Sequence, residues 1–220
     1  MQNRLLPYIG GAILIVGILI LSGILLTVLN VQQKEETPQE TLSQVSKILL
    51  APEVEAVLDR KIALIRELLE DPVIVNEVKK ANQQHKDISL QEILKLDTRW
   101  RSTEGIDEFI EPFLTNEIAH KLIEFQERHP GFSEIFVVDM YGLNVGQTNK
   151  TTDYYQADED WWIGAYNSGK GKASHGTIEF DESAQTEAIS LYIPVMDRIN
   201  NKAIGVIKAV VSITAIKMDL

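Results

Sequence analysis

The chain has 220 residues, 45% of them hydrophobic, enough for one compact domain with a real core and one further segment. Its formal charge is −11, and because residues 1–31 hold Arg4 and no acid, the remainder carries −12; such a surface repels phosphate backbones and anionic lipid, which argues against nucleic acid as a partner. There is no cysteine, so a disulfide scaffold, thiolate chemistry and cysteine-based metal sites are excluded.

Residues 5–31 contain no charge, and 14 of the 22 residues in 8–29 are Ile, Leu or Val. A helix of that length spans roughly 33 Å at about 1.5 Å per residue, against a hydrocarbon core of about 30 Å. The aliphatic side chains favour insertion by about 7 kcal/mol. A cleaved signal peptide would have a shorter apolar run ending in small residues. This run ends in Thr27-Val28-Leu29-Asn30-Val31, so an uncleaved transmembrane anchor over 5–31 is expected. Arg4 and the amino terminus precede it, and Lys34, Glu35 and Glu36 follow. This bias places residues 1–4 in the cytoplasm and 32–220 in the periplasm or outside, on a single-pass protein of the cell inner membrane.

Residues 32–40 are polar and read as a linker. Thr37-Pro38-Gln39-Glu40 is a helix start, with a run to about Leu50 that Pro52 restarts or kinks. Val54, Leu58, Ile62, Ile65 and Leu69 form one apolar stripe. Asp71-Pro72 ends this helix and caps the next, to about Gln84. Ser89-Leu90-Gln91-Glu92 is a capping box opening a short helix through Trp100. Residues 106–128 read as helical, disturbed near Pro112, with Ile118, Leu122 and Phe125 as the stripe, and Pro130-Gly131 breaks the chain. Ile135-Phe136-Val137-Val138 is then a buried strand, Asp139-Met140-Tyr141-Gly142 a turn, and 143–148 the return strand. Residues 161–167 read as a short helix, 172–180 and 187–195 as strands, Asn200-Asn201 as a hairpin tip, and 204–213 as the last strand. Helices first (41–131) and five hairpin-linked strands after (132–220) imply an α+β domain with an antiparallel sheet.

Residues 132–216 resemble the Cache (PAS-like extracytoplasmic) sensor domains of bacterial chemoreceptors, sensor histidine kinases and cyclic-nucleotide enzymes. The matching pieces are Ile135 to Gly142, Asp153-Tyr154-Tyr155-Gln156-Ala157-Asp158-Glu159-Asp160-Trp161-Trp162, Ala165, Ala188 to Val195, and Gly205-Val206-Ile207. The resemblance implies a pocket between the sheet, the short helix and its loop, and a signal passed to membrane-proximal helices. The family's amino-acid-binding subgroup carries Arg-x-Trp-Tyr-x-x-Ala and a late Asp; Trp161, Trp162 and Ala165 match that frame, but Glu159 stands at the Arg position and Val210 at the Asp position. The resemblance therefore implies a cationic or neutral solute rather than a classical α-amino acid.

Each candidate residue has a chemical reading and a packing reading. Tyr154, Tyr155, Trp161 and Trp162 put four aromatics into nine residues, either a pocket wall with cation–π capacity or ballast pinning the short helix to the sheet. Asp158, Glu159 and Asp160 are either a cation site or N-terminal dipole compensation of that helix. Asp153 is placed near the pocket mouth; Asp181, Glu182 and Ser183 are either a pocket rim or a polar turn, and Tyr192 either points into the pocket or packs in the sheet. Glu117, His120 and Glu124 share one helix face without further convergent ligands, so a solvated face is expected there and no metal or cofactor. No nucleophile elbow, phosphate loop or zinc motif is present, so no enzymatic activity is expected.

The expected function is a sensory module that binds a small extracellular solute, dimerises through its first long helix, and relies on an output domain or partner outside this chain, which ends at Leu220 just after the last strand. The alternative is an anchored structural or interaction protein that reuses the fold without ligand. A collapsed sheet face with Trp161 and Tyr192 fully packed would favour the alternative. A polar-lined cavity of a few hundred Å³ beside Trp161 would favour sensing.

Overall fold

A computed structural model describes residues 50–181 and 185–220. The expected anchor over 5–31, the linker over 32–40, residues 41–49, Glu182 and Ser183 lie outside the described residues. Among the described residues no helix is long and apolar enough to cross a membrane.

The architecture is α+β with a five-stranded antiparallel sheet. Helices α1 (Pro52–Leu68), α2 (Pro72–His85), α3 (Leu90–Ser102), α4 (Glu111–Thr115) and α5 (Glu117–Arg128) come first. Strands β1 (Phe132–Asp139) and β2 (Asn144–Gln147), helix α6 (Asp160–Tyr166), strands β3 (Ser174–Asp181), β4 (Thr186–Asp197) and β5 (Lys202–Ser212), and helix α7 (Ile213–Met218) follow. The sheet order is β2-β1-β5-β4-β3.

Local chemistry explains the helix starts. Pro52 and Pro72 occupy first-turn positions whose missing N–H costs nothing. The Asp71 carboxylate accepts from Val73 N, Ser89 Oγ from Glu92 N and Asn116 Oδ1 from Ala119 N. The expected helix over 106–128 is corrected. Asp107 Oδ1 accepts from Phe109 N and Ile110 N, which holds the preceding residues in a turn. Pro112 then starts α4 rather than disturbing a longer helix, and the break falls at Asn116, the cap of α5. Helix α7 is a further element that the strand pattern did not announce; Ser212 Oγ caps it by accepting from Ala215 N.

Strand alternation divides the sheet into two faces. Ile135 and Val137 of β1, Ile189, Leu191, Ile193 and Val195 of β4, and Ile207, Ala209 and Val211 of β5 pack with Leu58, Ile65, Ile74, Val78, Ile118 and Leu122 of the helices. The opposite face carries Phe136, Val138 and Val206, covered by Trp162 and Ala165 of α6. A separate cluster of Ile93, Trp100, Ile110, Leu143 and Tyr154 joins α3 to the chain after β2.

The Asp139–Gly142 turn forms as read. Asp139 Oδ1 accepts from Tyr141 N and Leu143 N, and His85 Nδ1 lies 2.6 Å from Asp139 Oδ2. Gly142 has φ +77°, and a Cβ there would sit 2.5 Å from Ala157, so the turn needs glycine both for its backbone and for its neighbour. The β4–β5 hairpin turns at Asn200-Asn201, with Asn201 at φ 50°. Asp197 accepts there from Lys79 Nζ at 2.9 Å and from Ile199 N at 3.1 Å. Lys79, followed by the Ile199 amide, holds the Asp197 carboxyl below the usual aspartate value of 3.8. A lowered folded pKa adds stability above the ordinary aspartate range and loses it as pH falls through the folded value. Asp197→Asn is therefore expected to lower the Tm at neutral pH, with the difference from wild type closing on acidification below pH 4; thermal denaturation at a series of pH values checks this.

Candidate functional site

The second face of the sheet is not covered uniformly. Next to α6, strands β3, β4 and β5 and the chain over 152–159 enclose a cavity of about 200 Å³. From β4 come Ala188, Ser190 and Tyr192, the alternate positions of the strand; β5 contributes Lys208, which is paired in register with Tyr192. The edge strand β3 gives Thr177, Glu179, Phe180 and Asp181, the loop gives Thr152, Asp153, Gln156 and Glu159, and α6 gives Trp161.

The aromatic wall is built from two strands and the helix. Trp161 stacks on Tyr192 with ring centres 5.3 Å apart and 18° between planes, and meets Phe136 edge-on at 6.0 Å. Lys208 Nζ lies 5.5 Å from the Trp161 ring and 5.6 Å from that of Phe136. Four carboxylates (Asp153, Glu159, Glu179 and Asp181) and one ammonium line one small space. Burial, then the charges of Asp153 and Asp158, push the Glu159 carboxyl above its ordinary value, while Lys208 opposes the shift. Burial, and with it Glu179, Asp181 and Glu159, also raises the Tyr192 hydroxyl, against a hydrogen bond with Ser190.

The loop is held from behind. Asp97 Oδ1 accepts from Tyr154 N at 3.0 Å and Tyr155 N at 3.1 Å, while Arg101 pairs with its other oxygen at 2.7 Å. Trp100 Nε1 donates to Thr151 O at 2.8 Å, and Asn144 Nδ2 donates to Thr151 Oγ1 and to Asp153 O. Gln156 Nε2 donates to the Asp153 carboxylate at 3.1 Å. Helix α3 thereby fixes where Asp153 and Gln156 stand.

Of the expected site residues, Glu159, Trp161, Asp181 and Tyr192 line the cavity, and Asp153 joins them. Ser183 lies outside the described residues. The others are placed elsewhere. Tyr154 is 2% exposed in the Trp100 cluster, where burial raises its hydroxyl pKa. Tyr155 packs on the same cluster and bridges to Leu143. Trp162 is buried between α6 and the sheet and stacks on Tyr166 at 4.7 Å. Asp158 and Asp160 are exposed at the start of α6, away from the cavity. The cause is geometric: residues 154 and 155 are tied to α3, and the first turn of a helix sends Trp161 and Trp162 to different sides. Lys208, Ser190 and Glu179 were missed. A lone lysine between Ile207 and Ala209 in an apolar strand was the available signal.

No family model matches the chain, and no curated protein matches it. Among solved structures it is similar to the sensory domain of the Campylobacter jejuni chemoreceptor Tlp3 with isoleucine bound, at 14% identity and a TM-score of 0.38 over 78% of this chain and 67% of that one. It is similar to the Escherichia coli DcuS sensor domain at 15% identity and 0.33 over 59% and 92%. It is also similar to the sensor domain of the Vibrio cholerae histidine kinase DctB, at 13% identity and 0.35 over 75% and 59%. All three are sensory or sensor domains.

Proposed function

We propose that this chain is the extracytoplasmic small-molecule sensing module of a membrane-bound signal-transduction protein, anchored through residues 5–31, dimeric, and without catalysis of its own. The observation that carries the reading is the polar-lined cavity beside the stacked Trp161–Tyr192 pair. A fold reused only as a structural or interaction module has no need to keep four carboxylates around an open space on a sheet face, since packed aliphatic side chains would be more stable there. The cavity suits a compact solute, cationic or neutral: a cation gains from the carboxylates and the indole face, and a neutral polar solute from Ser190, Thr177 and Gln156. Helix α1, which follows the expected anchor in sequence, supports a relay. Its Glu55 pairs with His175 of β3 at 2.9 Å, on the strand that carries Glu179 and Asp181.

A thermal-shift screen of the full chain against amines, polyamines, organic acids and divalent cations tests this reading. Stabilisation by an amine or a neutral solute is expected, growing with concentration. No stabilisation by either class overturns it. The raised Glu159 pKa gives a second expectation. A bound cation favours ionised Glu159, so amine affinity rises with pH from about the ordinary glutamate value of 4.5 upward, and Glu159→Gln flattens the profile. Calorimetric titration with 1,4-diaminobutane between pH 4.5 and 7.5 measures both.

A further inference from the structure

Strand β4 outruns its edge neighbour. The pairing of β3 with β4 ends at Ser174 and Tyr192, while β4 pairs with β5 as far as Asp197. The chain before β3 does not prolong the ladder, because Gly171 N donates to Tyr166 O and Lys172 N to Ala165 O. Gly171, at φ +70°, lies so close to β4 that a Cβ there would come within 2.8 Å of Met196 Sδ. Between this segment, the open edge of β4 and the end of α1 is a second cavity of about 350 Å³, which shares no lining residue with the Trp161 pocket.

Its chemistry is the reverse of the first. The floor is apolar, made by Leu69, Ala173, Ile193 and Pro194, and the rim carries Arg66, Glu70 and Arg198. Arg198 pairs with Glu70. The exposed side chain of Arg66, in the last turn of α1, makes no ion pair or hydrogen bond among the described residues. The rim is thus net positive by one charge in a chain of −11.

We infer that this cavity is a second binding site, for a small organic monoanion: a carboxylate on the Arg66 guanidinium with a short apolar body on the Leu69–Pro194 floor. A guanidinium presents two parallel donors that fit a carboxylate. One unmatched positive charge balances one negative charge, and the apolar floor disfavours a strongly hydrated dianion. Arg198 lies on the same rim, where an anion competes with Glu70 for its guanidinium.

Calorimetric titration of the full chain with benzoate, inorganic phosphate and butylammonium tests the assignment. Benzoate binds, phosphate gives no heat, and Arg66→Gln weakens benzoate at least tenfold while Trp161→Ala leaves it unchanged. Ala173→Leu, which fills the floor, abolishes benzoate binding with the Tm retained. Absence of benzoate binding, equal binding of phosphate, or an affinity untouched by Arg66→Gln overturns the proposal. So does loss of benzoate in Trp161→Ala, which would move the anion to the aromatic pocket. Failure of butylammonium to bind counts against the sensing reading and leaves this site standing.

Discussion

Trp100→Ala is expected to destabilise the chain by about 4 kcal/mol, the size of a large aromatic truncated in a core, and to lower the Tm by about 10 °C. Trp100 is fully buried and touches Phe109, Phe113 and Tyr154 with ring centres 5.4–5.9 Å apart. Truncation leaves a cavity in a small cluster that has few neighbours to close it, and strips Thr151 O of its donor. Trp100→Phe, which keeps most of the apolar volume, should cost about 1–2 kcal/mol. Thermal and urea denaturation followed by circular dichroism measure both. A loss under about 1 kcal/mol in the alanine variant would mean that this cluster does not hold the loop.

Asp97→Ala comes next in size, with an expected cost of about 3 kcal/mol. Asp97 is 4% exposed, and its carboxylate serves two backbone amides of the loop and Arg101 at once. Alanine leaves those amides without acceptors, whereas asparagine keeps one accepting oxygen for them and loses the ion pair with Arg101. The order of stability is therefore wild type, Asp97→Asn, Asp97→Ala. Because the same loop carries Asp153, Gln156 and Glu159, the alanine variant is also expected to bind an amine probe at least tenfold more weakly. An affinity equal to wild type in a folded Asp97→Ala protein would show that α3 does not set the pocket's geometry.

The fold was largely legible because its signals are local. Pro72, Ser89 and the Asp139–Gly142 turn mark element ends through backbone chemistry that depends on a few neighbouring residues. Period-two burial in β4 follows directly from its residue order. The misplacements arose where long-range contacts decide. Tyr154 reads as a pocket aromatic in sequence, but Asp97, 57 residues earlier, turns its backbone toward α3. Lys208 reads as an oddity in an apolar strand, and only its register with Tyr192 brings it to the indole of Trp161. Asp158, Glu159 and Asp160 are alike in sequence and all three are exposed, but only Glu159 lines the cavity.

The pocket beside Trp161 is the point on which the sensing account turns. The most direct test is the heat of binding of 1,4-diaminobutane and of its neutral analogue 1,4-butanediol to the full chain and to Trp161→Ala. Saturable binding of at least one of them, weakened at least tenfold by the substitution, is the expected result. Binding of neither, or binding that Trp161→Ala leaves untouched, would contradict the account.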